Sequence, residues 1–236
     1  MIPWLKLILE MKNERLYPSR FHYSFCILTL LRINLELIAK KYLGKKRNIV
    51  FVDFGCGDAP YRPIFESYAD KYISIDLSEN KSADLPIDLN GNAPLPDCSA
   101  DIVLSTQVLE HVLNPKKYLQ ECHRIIKSKG LLVLSTHGYW KYHPEPGDFW
   151  RWTHSGICAL IEEAQFKVVE SRGIMGLIPV AMHLFQEGVA SKIPFIFRSL
   201  LFFLIQSFIM CLDKFYSENS KKTNACVYLV VALKIG

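Results

Sequence analysis

The chain contains no C-x-x-C pair, no internal repeat and no low-complexity linker. Its seven cysteines (Cys26, Cys56, Cys98, Cys122, Cys158, Cys211 and Cys226) are scattered and odd in number. That distribution argues against a disulfide framework and against a zinc site, and it points to a reducing compartment. Charge is also scarce. Only 22% of residues are charged, and 28 Lys and Arg against 23 Asp and Glu leave a net charge of +5. A nucleic-acid binder would show a basic stripe or a larger excess, so no nucleic-acid partner is expected. The single cluster, Lys40, Lys41, Lys45, Lys46 and Arg47, reads as a solvated helix end or as an attraction to an anionic membrane surface. Met1 to Leu9 lacks a basic region and a small-residue cleavage site, so a secretory signal is not expected. A cytoplasmic setting follows, with membrane association as an open alternative.

What the chain has instead is apolar residues, 50% of the total over 236 positions. This excludes a disordered chain and suits one domain with a full core. The apolar surplus is uneven. Residues 1–47 read as a helical extension, with Tyr23–Leu43 an amphipathic stretch. From 48 to 172 short β-rich runs alternate with helical segments, which predicts a doubly wound, mostly parallel sheet of the Rossmann-like α/β class. Asn48–Asp53, Lys71–Asp76, Asp84–Asp88, Ala100–Ser105, Leu131–Ser135 and Lys167–Glu170 are the expected strands. Asn114 and Pro115 open a helix as cap and first residue, and Lys127, Lys129 and Gly130 are expected to close it. Thr153 caps the next helix. Residues 173–224 read as a helical cap, and 225–236 as a last strand that would complete a seven-stranded sheet with extra helices at both ends, all in a single domain.

Ligands of such sheets bind at the carboxyl ends of the strands. Gly55 and Gly57 lie in the turn after the first strand, where a backbone can approach a ligand closely. Asp76 follows Gly57 by 19 residues at the end of the second strand, placed to accept ribose hydroxyls. Asp88 and Leu89 end the third strand and Gln107 follows the fourth. Together they outline an adenosine cradle. A dinucleotide would want glycine where Pro60 stands, and Asp53 and Asp58 beside the turn disfavour a pyrophosphate. Carboxylates there suit a cationic ligand end.

Val52-Asp-Phe-Gly-Cys-Gly57 resembles the first motif of class I S-adenosylmethionine-dependent methyltransferases. Leu95–Ser105, Gln107–Val112 and Arg124–Gly130 resemble that family's later blocks, in order, so the resemblance spans about residues 48–172. The stretch His143–Thr153 further resembles members from polysaccharide and cell-envelope biosynthesis. The family often has a third glycine where Ala59 stands. The resemblance implies S-adenosyl-L-methionine as cofactor. Asp53, Gly55, Cys56 and Gly57 would hold its methionine end, Asp76 its ribose and Asp88 its adenine amino group. Leu77 would pack on the adenine, and Gln107 would sit near the methyl.

Methyl transfer to a hydroxyl requires a base for the acceptor proton. His111, His137, His143 and Asp148 are the candidates, although Asp148 with Arg151, Trp150 and Trp152 also reads as a loop lock. The expected acceptor is a small molecule, a saccharide or a lipid-linked intermediate. Two other readings stand beside this one: a nicotinamide-dependent oxidoreductase, and a non-catalytic membrane-peripheral protein on the same fold. Ile193–Leu212 is apolar except for Arg198, Ser199, Gln206 and Ser207. It reads as a packed cap, an interfacial helix or a span, with Lys192, Arg198, Lys214, Lys221 and Lys222 as cations for an anionic membrane. Apolar helices at both ends would also suit a homodimer.

Overall fold

The computed structural model describes residues 13–44, 48–88 and 90–236. Leu89, Lys45, Lys46 and Arg47 lie outside the described residues, as do residues 1–12 of the helical extension. The described elements are α1 (Phe25–Tyr42), β1 (Val50–Phe54), α2 (Arg62–Phe65), β2 (Lys71–Asp76), β3 (Leu85–Pro86), β4 (Ala100–Thr106), α3 (Pro115–Ile125) and β5 (Ile126–His137). They continue with α4 (His154–Glu163), β6 (Phe166–Ile174), α5 (Leu177–Ala190), α6 (Phe195–Asp213), α7 (Glu218–Thr223) and β7 (Val227–Lys234). Single-turn 3-10 helices occupy Glu66–Tyr68 and Leu109–His111.

Seven strands form one sheet in the order β3-β2-β1-β4-β5-β7-β6, with β7 antiparallel to both of its neighbours and the other pairs parallel. The strand order reverses between β1 and β4, which opens the ligand crevice over their carboxyl ends. Side chains alternate across the sheet. Leu131, Val133, Val227, Leu229 and Val231 join the core under α1, α5 and α6. Leu132, Leu134, Tyr228, Val230 and Ala232 join the core under α3 and α4. Burial on both faces explains why these strands read as continuous apolar runs.

Local chemistry sets several boundaries. The Asn114 side chain accepts from Lys117 N at 3.0 Å, and Thr153 Oγ1 accepts from Gly156 N at 3.1 Å, so both helix caps form. α1 buries Ile27, Leu31, Leu35 and Ile38, a stripe at helical spacing, against the sheet.

Several boundaries differ from the sequence reading, and β6 runs on to Ile174 where Glu170 was expected to end it. α3 stops at Ile125 and the chain enters β5 at once, without a closing turn at Gly130. Gly130 serves a different purpose. A Cβ there would lie 2.8 Å from the Asp101 carbonyl oxygen and 2.6 Å from Ile126, so glycine admits the close approach of β4 and β5. The third strand shrinks to Leu85–Pro86 at the sheet edge, where a proline costs no ladder bond. Asp84 accepts from Ser74 N and Oγ instead, both at 2.8 Å.

Candidate active site

A cavity of about 1530 Å³ opens over the carboxyl ends of β1, β2 and β4. One wall is made of backbone turns and carboxylates. The other is made of imidazoles, aromatic rings and the segment leading into α1.

On the first wall, Gly55 and Gly57 have φ of +79° and +53°. A Cβ on Gly55 would strike Val108 at 2.5 Å, whereas one on Gly57 would meet nothing within 4 Å and would fill the cavity instead. Ala59 adopts φ +47°, so the turn keeps a left-handed bend where the family often has glycine. Asp76 closes the turn: Oδ2 accepts from Gly57 N at 2.7 Å and from Asn80 Nδ2 at 2.8 Å. Oδ1 accepts from the Leu77 amide at 2.8 Å, leaving a lone pair for a ligand hydroxyl. Leu77 projects into the cavity mouth, and Gln107, at φ +57°, is held by Ser135 through its backbone and side chain. Asp88 lines the cavity, but its carboxylate also orders its own loop, accepting from Asn90 N, Asn92 N and Asn92 Nδ2, each at 2.8 Å. These bonds hold its pKa below the usual range.

Asp53 and Cys56 are both buried at this turn. Asp53 is only 2% exposed and stands behind the cavity wall. The strand period puts it on the face of Phe51, where Tyr72 donates to its Oδ2 at 2.6 Å. Direct contact with the methionine end is therefore corrected to support from behind. Its Oδ1 has no hydrogen-bond partner, and burial pushes its pKa up to about 7. The Cys56 thiol is pushed up to about 12 by burial and by Asp53 and Asp76, so it is a small wall residue rather than a nucleophile.

On the second wall three histidines meet. The rings of His111 and His143 are 4.7 Å apart, edge to face, and His137 lies 5.9 Å from His143 while stacking on Trp140 at 4.5 Å. The 3-10 turn after β4 carries His111, the end of β5 carries His137, and the long loop after β5 carries His143. His111 Nδ1 faces the carbonyl of Gly147 at close range. A carbonyl only accepts, so Nδ1 bears the proton and Nε2 is left as an acceptor. His137 is a weak base, because burial and the positive Arg151 push its pKa down to about 3. Its Nδ1 lies 3.1 Å from Glu110 Oε1 but off the line of a hydrogen bond, so neither atom is partnered. Glu110 is fully buried and its pKa is pushed up to about 7 by that burial; Thr136 donates to its Oε2 at 2.8 Å.

Asp148 is corrected from candidate base to lock. Arg151 grips both its oxygens at 2.5 and 2.6 Å, and the His143 amide donates to it at 2.8 Å. These bonds hold its pKa down to about 2, too low to take a proton near neutrality. Arg151 also donates to the Trp140 and Lys141 carbonyls, while Trp150 Nε1 donates to Val112 O and Trp152 N to His137 O. The loop is thereby stitched down as a wall.

Sequence reasoning missed Arg15, Tyr23, Ile27 and Leu31, which line the cavity from the entry segment and α1. They meet the site only through tertiary packing. Glu110 was readable, since it precedes His111 in an apolar turn, where a carboxyl is buried at a cost.

An open sheet of this order with a glycine turn and a ribose-placed acid defines a Rossmann-like nucleoside-binding enzyme fold. Asp76 already occupies the Gly57 amide that a pyrophosphate would seek, which disfavours a dinucleotide. Residues 52–134 match the family model described as a methyltransferase domain. A probable S-adenosylmethionine-dependent methyltransferase of Mycobacterium tuberculosis is 28% identical over 142 residues, covering 50% of this chain and 52% of that protein. A human thiol S-methyltransferase is 26% identical over 216 residues, covering 79% of this chain and 85% of that protein. The Burkholderia thailandensis 1,6-didemethyltoxoflavin-N1-methyltransferase, solved with S-adenosylhomocysteine, shares the fold at a TM-score of 0.56 and 14% identity, over 99% of this chain and 89% of that one. The chain spans about half the length of the first curated relatives it matches. It carries a class I S-adenosylmethionine-dependent methyltransferase domain, and S-adenosylmethionine is the cofactor of that family. The first wall fits this group: open space at Gly57, a lone pair on Asp76, the exposed Leu77 and, one layer behind the wall, the buried carboxylate of Asp53, which forms no ion pair among the described residues.

Proposed function

We propose that the chain binds S-adenosylmethionine on the glycine-turn wall and methylates a hydroxyl of a small, saccharide or lipid-linked acceptor held against the histidine wall. The observation that carries this reading is the pairing of the two walls in one cavity, with His111 Nε2 left as an acceptor by the Gly147 carbonyl. Bound there, the cofactor supplies an electrophilic methyl group. The chain's own residues do the rest. Gly55 lets the turn pack on Val108, Gly57 leaves room for the ligand, Asp76 takes a ribose hydroxyl, and Leu77 covers an apolar face. His111 Nε2 receives the acceptor's proton as attack develops, while the Asp148–Arg151 lock keeps His143 and the loop in place. Holding donor and acceptor aligned supplies much of the acceleration, on the order of 7–11 kcal/mol at best.

The human relative's name records a thiol acceptor. A thiol ionises more readily than an alcohol and would make less use of His111.

Isothermal titration with S-adenosylmethionine, together with transfer of label from the cofactor to an extract, tests the reading. Binding and labelled product are expected. A folded chain that binds no cofactor at high micromolar concentration sinks it. Binding without transfer to any acceptor points to the non-catalytic alternative.

A further inference from the structure

Helix α6 is inside out. Its buried residues are Gln206, Ile209 and Asp213, spaced as one helical face. Its outer stripe is Ile196, Leu200, Leu204 and Phe208, extended by Phe195 and Phe197 at its start. Phe195 and Ile196 are 84% and 78% exposed. Among the described helices it is the one long and apolar enough to cross a membrane.

Its rotation is fixed by polar bonds. Gln206 Oε1 accepts from Cys26 N at the start of α1 at 2.8 Å, and its Nε2 donates to Gln186 Oε1 at 3.0 Å. Gln186 Nε2 donates on to the Tyr23 carbonyl at 2.8 Å. Asp213 accepts from Gly176 N at 2.9 Å and from Lys221 Nζ at 2.6 Å. Turning the apolar stripe inward would strand each of these groups. The outward face is therefore held outward, and water is a poor medium for it.

Along the outer stretch of α6 and the turn before it the charge is of one sign. Residues 188–212 contain Lys192 and Arg198 and no Asp or Glu, and Lys214 follows at the far end. Lys221, one of the cations expected to serve a membrane, is taken up by Asp213. A two-fold pairing of antiparallel α6 helices would set Lys192 of one copy beside Lys214 of the other, with no carboxylate on the helix face to offset them. An anionic bilayer supplies both the apolar medium and the opposite charge. Gln206 in the middle of α6 and Asp213 at its end are tied to the same domain, and β7 rejoins the sheet beyond it, so the helix lies along a surface and does not cross it.

We propose that the outer face of α6 seats this protein on an anionic lipid bilayer, in the plane of the headgroup–acyl boundary. The seat adjoins the cavity: Phe21 stacks on Phe203 at 5.4 Å, and Tyr23, a cavity-wall residue, meets the Phe202 ring at 6.4 Å. Lipid binding by α6 and methyl transfer in the cavity are separate properties, and either can fail without the other.

Flotation of the full chain with phosphatidylcholine vesicles, with and without phosphatidylglycerol, tests the seat. The chain is expected to float with the anionic vesicles and more weakly with the neutral ones. The double variant Ile196→Asp, Leu200→Asp should lose roughly tenfold or more of its binding while keeping its thermal melt. Lys192→Ala and Lys214→Ala should each weaken binding to anionic vesicles roughly fivefold, the equivalent of about 1 kcal/mol per cation. These two variants carry the test if the double variant does not fold. A parent chain that stays in the lipid-free fractions overturns the proposal, as does a folded double variant that floats equally well. A dimer in buffer that the double variant dissociates, without vesicle binding by the parent, assigns the face to a second copy and also overturns it.

Discussion

The two walls of the cavity are built on different principles. The cofactor wall comes from consecutive strand ends, and its key groups are backbone amides and carboxylates fixed by their own turns. The wall proposed to receive the acceptor is assembled from distant pieces: the entry to α1, the 3-10 turn after β4, the end of β5 and a loop locked by Arg151. The first wall is local and therefore general to a fold. The second is tertiary and therefore particular to a chain, and on the proposed reading acceptor choice resides there.

If that division holds, the largest effect comes from a change that spares one wall entirely. His111→Gln should lower the methyl-transfer rate by about 10²–10⁴, the range for losing a general base, with cofactor affinity unchanged by titration calorimetry. A matching fall in cofactor affinity would show that the walls are not separable. Near-normal rate with a thiol acceptor but not with a hydroxyl acceptor would locate the demand for a base in the acceptor itself.

The converse change is smaller. Asp76→Ala removes the acceptor of a ligand hydroxyl and the partner of the Gly57 amide. Cofactor affinity should weaken roughly 10–100-fold, as expected for a hydrogen bond to a charged group, while rate at saturating cofactor changes little. Calorimetry and initial rates read the two quantities separately.

The contrast between walls also explains what could be read in advance. The glycine turn, Asp76 and the Asn114 and Thr153 caps are short-range patterns, and each appears where its pattern placed it. The doubly wound, mostly parallel sheet followed from the alternation of elements. Gly130 misled because a C′ glycine and a glycine admitting a neighbouring strand look alike until Asp101 is placed beside it. Arg15, Tyr23 and Leu31 gave no local sign of reaching the site. Asp53 could have been assigned better, since it shares the strand face of Phe51. The spacing of Gln206, Ile209 and Asp213 likewise marked the buried side of α6.

Asp148 separates structural support from chemistry on the acceptor wall. Asp148→Asn keeps the shape but removes the charge that Arg151 grips, which should cost about 1–3 kcal/mol in a denaturant melt. Its depressed pKa sets the sign of the acid limb. This stabilisation is present above the ordinary carboxylate range and is lost as pH falls toward about 2. The variant should flatten that limb. A hydroxyl-acceptor rate that falls as far as it does for His111→Gln would mean that Asp148 does more than hold the loop.

The smallest expected effect tests the two buried acids, one behind each wall. Burial raises both Asp53 and Glu110 to about 7. Between their ordinary values and about 7 the folded chain holds protons that the unfolded chain has released. Their contribution is therefore complete at low pH and is lost as pH rises through about 7. His137 and His183, pushed down by burial to about 3 and 4, act in the opposite sense: their contribution is complete above 6.5 and is lost as pH falls. Stability should be broadly level where these slopes oppose each other, fall as pH rises from about 6.5 through about 7, and level off beyond that. Glu110→Gln removes one of the groups that must ionise inside the protein, so its melting temperature should gain on the parent by a few degrees at pH 8 relative to pH 6, for about 1–2 kcal/mol. Asp53→Asn should do the same without cofactor. With S-adenosylmethionine bound the two variants should diverge, because a cationic ligand favours the ionised form of Asp53 and has no such partner in Glu110. Equal behaviour of the two variants in the presence of cofactor would place the ligand's positive charge away from Asp53.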